Sequence, residues 1–182
     1  ILYRGVTYIS TAVMMHLAAY VGQKKSPLLV IRLGGALYLA TYVALFAGMN
    51  HMEKLMYLVA ALSGSGAAFY WTGHNVLVPN YTTNTNPDIG IAILGIIQGI
   101  MTLIVPVVSG FVISNMRGNS GYRVMFGVGM AAVVVQLYVH TKLYPVEQKK
   151  HVSQAKLALK MVWKKASCKL MLAYEFMRGF RD

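Results

Sequence analysis

The chain has 182 residues, of which 57% are hydrophobic and only 12% charged, about half the charged share of an ordinary soluble domain. That composition leaves too little polar surface to cover a globule in water. Lys and Arg total 17 against 5 Asp and Glu, for a net charge of +12; in a soluble protein this would suggest nucleic acid, but here the bases separate long uncharged runs, so membrane topology replaces nucleic acid as the reading, and the single cysteine excludes a disulfide framework.

A helix crossing a bilayer needs roughly 20 mostly apolar residues. Runs free of Asp, Glu, Lys and Arg cover residues 5–23, 33–52, 55–87, 89–116 and 124–141, and a sixth apolar run opens at Leu170. The alternating polar and apolar residues of a β-barrel are missing, and helices are the remaining way to satisfy backbone hydrogen bonds in lipid. The expected fold is all-α, a polytopic transmembrane helical bundle. Its domains are expected to be a bundle of five helices over 1–141 (about 3–23, 31–50, 55–79, 89–115 and 122–141), a basic linker over 142–169, and the start of a sixth, truncated transmembrane helix over 170–182. The opening on Ile1 and the ending at Asp182 inside an apolar stretch point to a portion of a longer chain.

The first link holds Lys24, Lys25 and Arg32, the second only Lys54, the third no base, the fourth Arg117 and Arg123, and the last eight lysines from Lys142 to Lys169. Alternating sides puts eleven bases with the odd links and three with the even ones, so the odd links, the long basic one included, are expected in the cytoplasm. Lys156, Lys160 and Lys164 recur at helical spacing, with Val152, Leu159, Val162, Trp163 and Ala166 largely on other faces. This predicts an amphipathic helix on the inner surface that partners anionic lipid headgroups.

The third run contains Gly64-Ser65-Gly66-Ala67-Ala68 and then Phe69-Tyr70-Trp71-Thr72-Gly73-His74-Asn75. Small residues let helices approach closely. Trp71 and Asn75 share one helix face, as do Tyr70 and His74. Gln98 stands alone in the fourth run between Gly95 and Gly99, and Pro106 removes one backbone donor and is expected to kink or hinge that helix. His16, Gln136 and His140 are weaker candidates for a polar role. At the end of the chain, Glu175, Arg178 and Asp182 lie three and four residues apart in a stretch that should have begun to cross, where ionisable groups mark function. No cluster of His, Cys, Asp or Glu has metal-ligand spacing, and no phosphate loop, dinucleotide turn or nucleophile elbow is present. Neither a metal nor a cofactor is expected.

Three stretches carry a family resemblance. The segment from Ala19-Tyr20-Val21-Gly22-Gln23-Lys24-Lys25-Ser26-Pro27 to Arg32 resembles a degenerate form of the basic loop between helices two and three of major facilitator superfamily transporters, with the usual acidic residue absent. Gly95 to Gly110 is similar to the family's Gly-Pro pattern in helix five, with Val105 where a glycine normally precedes the proline. Leu172 to Asp182 is similar to the start of helix seven in a group of poorly characterised bacterial members. The resemblance implies the family's N-terminal half lacking its first helix, with the C-terminal half of the same chain as its missing partner.

It also implies secondary active transport of a small solute by alternating access, proton- or ion-coupled, in a bacterial cytoplasmic membrane, with no enzymatic activity. Because helix four lines the family's cavity, Trp71, His74 and Asn75 become candidate substrate contacts; an interhelical hydrogen bond or an interfacial aromatic is the alternative. Gln98 contacts either substrate or a neighbouring helix. Helix seven also lines the cavity, so Arg178 is a candidate for an anionic group and Glu175 or Asp182 for proton coupling; a gating or anchoring charge cluster is the alternative. Lys24, Lys25 and Arg32 form the cytoplasmic loop motif, and Pro106 is the hinge. Competing readings are a membrane-embedded enzyme, with His74 and Glu175 as its nearest approach to a catalytic pair, and a non-transporting membrane scaffold.

Overall fold

The computed structural model describes residues 2–82 and 87–142. The chain divides into Ile1–Val146 and Glu147–Asp182, and every described residue belongs to the first part. The expected sixth helix, and the expected linker apart from Lys142, lie outside the described residues.

Five helices follow one another: α1 (Leu2–Lys24), α2 (Pro27–Ala47), α3 (Met52–Thr82), α4 (Pro87–Asn115) and α5 (Ser120–Lys142). The shortest has 21 residues, about 30 Å at 1.5 Å per residue, which matches the hydrocarbon core of a bilayer. The fold is all-helical among the described residues. Pro27–Ala47, Ala92–Asn115 and Ser120–Lys142 are long and apolar enough to cross a membrane. Helices α1 and α3 are long enough but carry more hydroxyl and amide groups. Some of those hydroxyls bond one turn back: Thr7 Oγ1 donates to the Tyr3 carbonyl at 3.0 Å, Thr11 Oγ1 to that of Thr7 at 2.8 Å and Ser65 Oγ to that of Ala61 at 2.7 Å.

Caps set the helix ends. Ser26 is extended (φ −164°, ψ 150°), and its Oγ accepts the Leu29 N–H at 3.0 Å, while Pro27 fills the first helical turn, where a missing N–H costs nothing. The second helix therefore starts at Pro27, ahead of the 31 expected, because the cap and not the last base decides where it begins. It ends at Ala47, short of the expected 50: the Gly48 N–H bonds back to the Ala44 carbonyl at 2.8 Å, and a single 3₁₀ turn, Met49–His51, leads into α3. Helix α3 in turn runs on to Thr82 through the polar stretch that was expected to lie beyond it. Between α4 and α5 the turn passes through Gly118 at φ +59°, a conformation that favours glycine.

Helix α3 packs along both α1 and α2, α5 packs along α2 and touches α4, and α4 meets α3 only lightly. The core is small. Ala18, Val30 and Phe69 form one buried cluster, with Met14, Val21 and Leu37 against it; Leu28, Ile31 and Leu77 form a second, with Tyr70 against it. Close backbone approach supplies the rest. A Cβ on Gly34 would lie 2.8 Å from Tyr70 Cα, one on Gly66 3.3 Å from the Tyr38 ring, and one on Gly73 2.8 Å from Ile31 Cβ. These pairs step in register, 31 with 73, 34 with 70 and 38 with 66, so α2 and α3 run antiparallel at near-contact distance. Lipid leaves helices no hydrophobic gain from association, and such van der Waals fit is what holds them.

Candidate functional site

The polar and aromatic residues of α3 gather around Tyr70. Its ring makes an edge contact with Tyr38 of α2 at 6.2 Å and with Trp71 at 5.6 Å, and lies tilted over His74 at 5.6 Å. Trp71 meets His74 edge-on at 5.3 Å. Gly34 and Gly66 make this possible: each gives up a side chain where the other helix presents a tyrosine. Edge contacts of this kind place a positive ring edge against a negative face and stabilise by about 0.5–1.5 kcal/mol each.

The group is graded from the helix seam outward. Tyr38, Tyr70 and His74 are half-buried, Trp71 is 38% exposed, and Asn75 is exposed. The Nδ1 atom of His74 is buried with no hydrogen-bond partner among the described residues, as is that of His140. The group lies in the C-terminal half of α3, with His74 seven residues, about 10 Å, past the helix midpoint. The structure thus brings Trp71 and His74 together, with Asn75 next to them on the exposed side. Tyr38 was missed by the sequence reading. Its signal was indirect, a tyrosine one turn beyond Gly34 on the neighbouring helix.

The other candidates lie apart from this group. Gln98 is exposed on α4, where every side chain from Ala92 to Val108 is exposed, and its backbone carbonyl accepts the Thr102 hydroxyl at 2.8 Å. Pro106 lies inside α4, which continues through it to Asn115. His16 Nδ1 is 3.2 Å from the carbonyl of Ala12 in its own helix. Glu175, Arg178 and Asp182 are outside the described residues. Among the described residues, no three of His, Cys, Asp and Glu come together as metal ligands.

The basic loop is shorter than its sequence suggests. Only Lys25 and Ser26 separate α1 from α2. Lys24 closes α1 with its ammonium 4.6 Å from the centre of the Tyr20 ring, a cation–π contact. Arg32 is not in the loop but in the second turn of α2, and its guanidinium reaches α5: Nη2 donates to the His140 carbonyl at 2.7 Å and Nε at 3.3 Å. That carbonyl belongs to the last described turn of α5.

Residues 5–180 match the family model of the Major Facilitator Superfamily. The chain belongs to the major facilitator superfamily. It is accordingly an integral membrane protein, and its helices are those of a family of transporters. Among curated relatives it is 31% identical over 132 residues to the uncharacterized protein YqgE of Bacillus subtilis (strain 168), an alignment covering 70% of this chain and 30% of that one. It is 28% identical over 99 residues to an uncharacterized protein in the sodM 3' region of Geobacillus stearothermophilus, covering 54% of this chain and 46% of the relative. The chain thus spans less than half the length of either relative. No solved structure matches it significantly.

Proposed function

We propose that this chain contributes to secondary active transport of a small solute by alternating access, coupled to a proton or another ion, and that it has no enzymatic activity of its own. The observation that carries the reading is the partly exposed polar-aromatic face of Trp71, His74 and Asn75 on α3 of a major facilitator bundle. On this reading α1 to α5 are the family's helices two to six, and Tyr38 and Tyr70 form the rigid backing against which Trp71 and His74 meet the solute. Gln98 adds a polar contact from α4, and Pro106 lets that helix bend.

The remaining proposals concern sequence outside the described residues. Residues 142–169 form the basic cytoplasmic link between two halves and lie on anionic lipid; 170–182 open the next helix. There Arg178 holds an anionic group of the solute, and Glu175 or Asp182 exchanges the coupling proton. Relatives in Bacillus and Geobacillus favour the bacterial cytoplasmic membrane.

The test is solute-evoked proton movement in vesicles holding the full-length protein and a pH-sensitive dye, screened with sugars, amino acids and organic ions. A hit should be reduced about fivefold or more by Trp71→Ala, since an aromatic contact contributes about 1 kcal/mol or more, while Tyr8→Ala on the exposed side of α1 leaves it unchanged. If Trp71→Ala transports like the parent, the α3 face is not the solute site. If solute crosses without proton or other ion movement, the coupling is wrong.

A further inference from the structure

We propose that Arg32 is a positioning residue that clamps the last turn of α5 onto α2, so that these two helices move as one body. The inference does not rest on the transport reading. It starts from the two hydrogen bonds that Arg32 sends to the His140 carbonyl, across 108 residues of sequence. A guanidinium presents its donors in a rigid fork and stays charged under all ordinary conditions. The acceptor lies in the last described turn of α5, toward the end at which a helix carries negative partial charge. The contact therefore combines hydrogen bonding with a charge–dipole attraction.

The clamp is one end of a longer seam. One turn further along α2, a Cβ on Gly35 would lie 2.7 Å from the side chain of Leu137, and two turns beyond that the Tyr42 ring lies where a Cβ on Gly129 would be 2.6 Å away. From 32 to 35 to 42 along α2, the partner positions run 140, 137, 129 along α5. Opposite steps of nearly equal size, three and seven against three and eight, define an antiparallel pair whose register shifts by one residue over about ten residues, or roughly 15 Å. Gly35 and Tyr42 resist sliding by shape alone. Arg32 adds the directional bond that stops α5 from peeling away at its C-terminal end. The side chain is only part-buried, and His140 beside it is 9% exposed, so the bond is sheltered from water on the α5 side.

This assignment gives Arg32 a different task from Lys24 and Lys25, with which it was grouped by sequence. Lys24 lies over its own Tyr20, and Lys25 stands in the two-residue junction between α1 and α2. Arg32 turns inward, to a neighbouring helix of the same bundle.

The measurement is amide hydrogen exchange on the full-length protein in lipid nanodiscs, comparing the parent with Arg32→Gln, Arg32→Lys and, as a control at the same membrane face, Lys25→Gln. Arg32→Gln should raise exchange in peptides covering residues 136–142 about tenfold, leaving α1 and α3 unchanged, because loss of a charge-assisted bond at a helix end opens that end locally. Arg32→Lys, which keeps the charge but not the fork, should fall between parent and Arg32→Gln, and Lys25→Gln should match the parent. Unchanged exchange at 136–142 in Arg32→Gln overturns the clamp, as does a rise spread evenly over all five helices. Should Arg32→Gln fail to assemble, Arg32→Lys decides alone: exchange at 136–142 equal to the parent overturns the proposal, and a local rise supports it.

Discussion

Helices α3 and α4 differ by only two residues in length, 31 against 29, and both are studded with small residues. In α3, Gly64 and Gly73 stand where a Cβ would collide with α1 and α2, and a Cβ on Gly66 would press tightly on Tyr38 of α2. In α4, Gly95, Gly99 and Gly110 have open space around them, and large side chains such as Leu103, Val107 and Phe111 are 72%, 67% and 70% exposed. The same vocabulary therefore does two jobs. In α3 it sets backbone distance; among the described residues of α4 it sets none. In lipid there is no hydrophobic penalty for leaving α4 bare, so only shape and polar contacts tell a seam from a free face.

Gly34→Leu, on the α2 side of the α3 seam, is expected to have the largest effect. Its new side chain would start 2.8 Å from Tyr70 Cα, and backbone cannot swing aside as a side chain does. A loss of about 3 kcal/mol is expected, at the upper end of overpacking costs, read as a fall in thermal unfolding temperature of the purified protein. The aromatic group should come apart with it, since Tyr70 is then displaced from Tyr38. A mutant that melts like the parent would mean the two helices are not in register as described. Thr11→Val comes next on the α1 side. The Thr11 hydroxyl lies 2.8 Å from the Thr7 carbonyl and 3.1 Å from that of Gly64 on α3. Removing it while keeping the shape should cost about 0.6 kcal/mol, the average for hydrogen bonds between membrane helices. A larger loss would show that α1 is held to α3 by this bond more than by fit.

The sequence made the helices legible for a simple reason. In lipid the backbone must bond to itself, so an uncharged run of sufficient length is a helix before any packing is known. Ser26, Pro27 and Gly48 carried ordinary end signals, but charge-free runs locate bases, not caps, which is why α2 begins earlier than the run did. The face shared by Tyr70 and His74 was readable from spacing within one helix, and the rings do meet. Contacts between helices were not readable. Nothing periodic connects Arg32 to His140 or Tyr38 to Tyr70; those pairs follow from register. The adjacent Gly34 and Gly35 show why. One faces Tyr70 of α3 and the other Leu137 of α5, because neighbours in a helix point about 100° apart. A two-glycine motif thus serves two seams, and no one-dimensional pattern says which glycine serves which.

Gly99→Leu on α4 is the counterpart of Gly34→Leu and should have the smallest effect. Nothing lies within 4 Å of a Cβ at Gly99, so the new side chain meets no protein atom. Leucine is also the better helix former by somewhat under 1 kcal/mol in a helix interior. For the 182-residue chain the expected change in stability is between zero and a gain of that size, with unfolding temperature unchanged or slightly raised. The same substitution in the full-length protein gives the contrast its edge. If it is neutral there too, the Gly95–Gly99 face is a lipid face, and the glycines serve the flexibility of a helix that already contains Pro106. If it is harmless in the chain but costs the full-length protein as much as Gly34→Leu, the open face of α4 is a seam of the same kind as that of α3, filled by helices beyond these residues, and the difference between the two helices is one of partner and not of design.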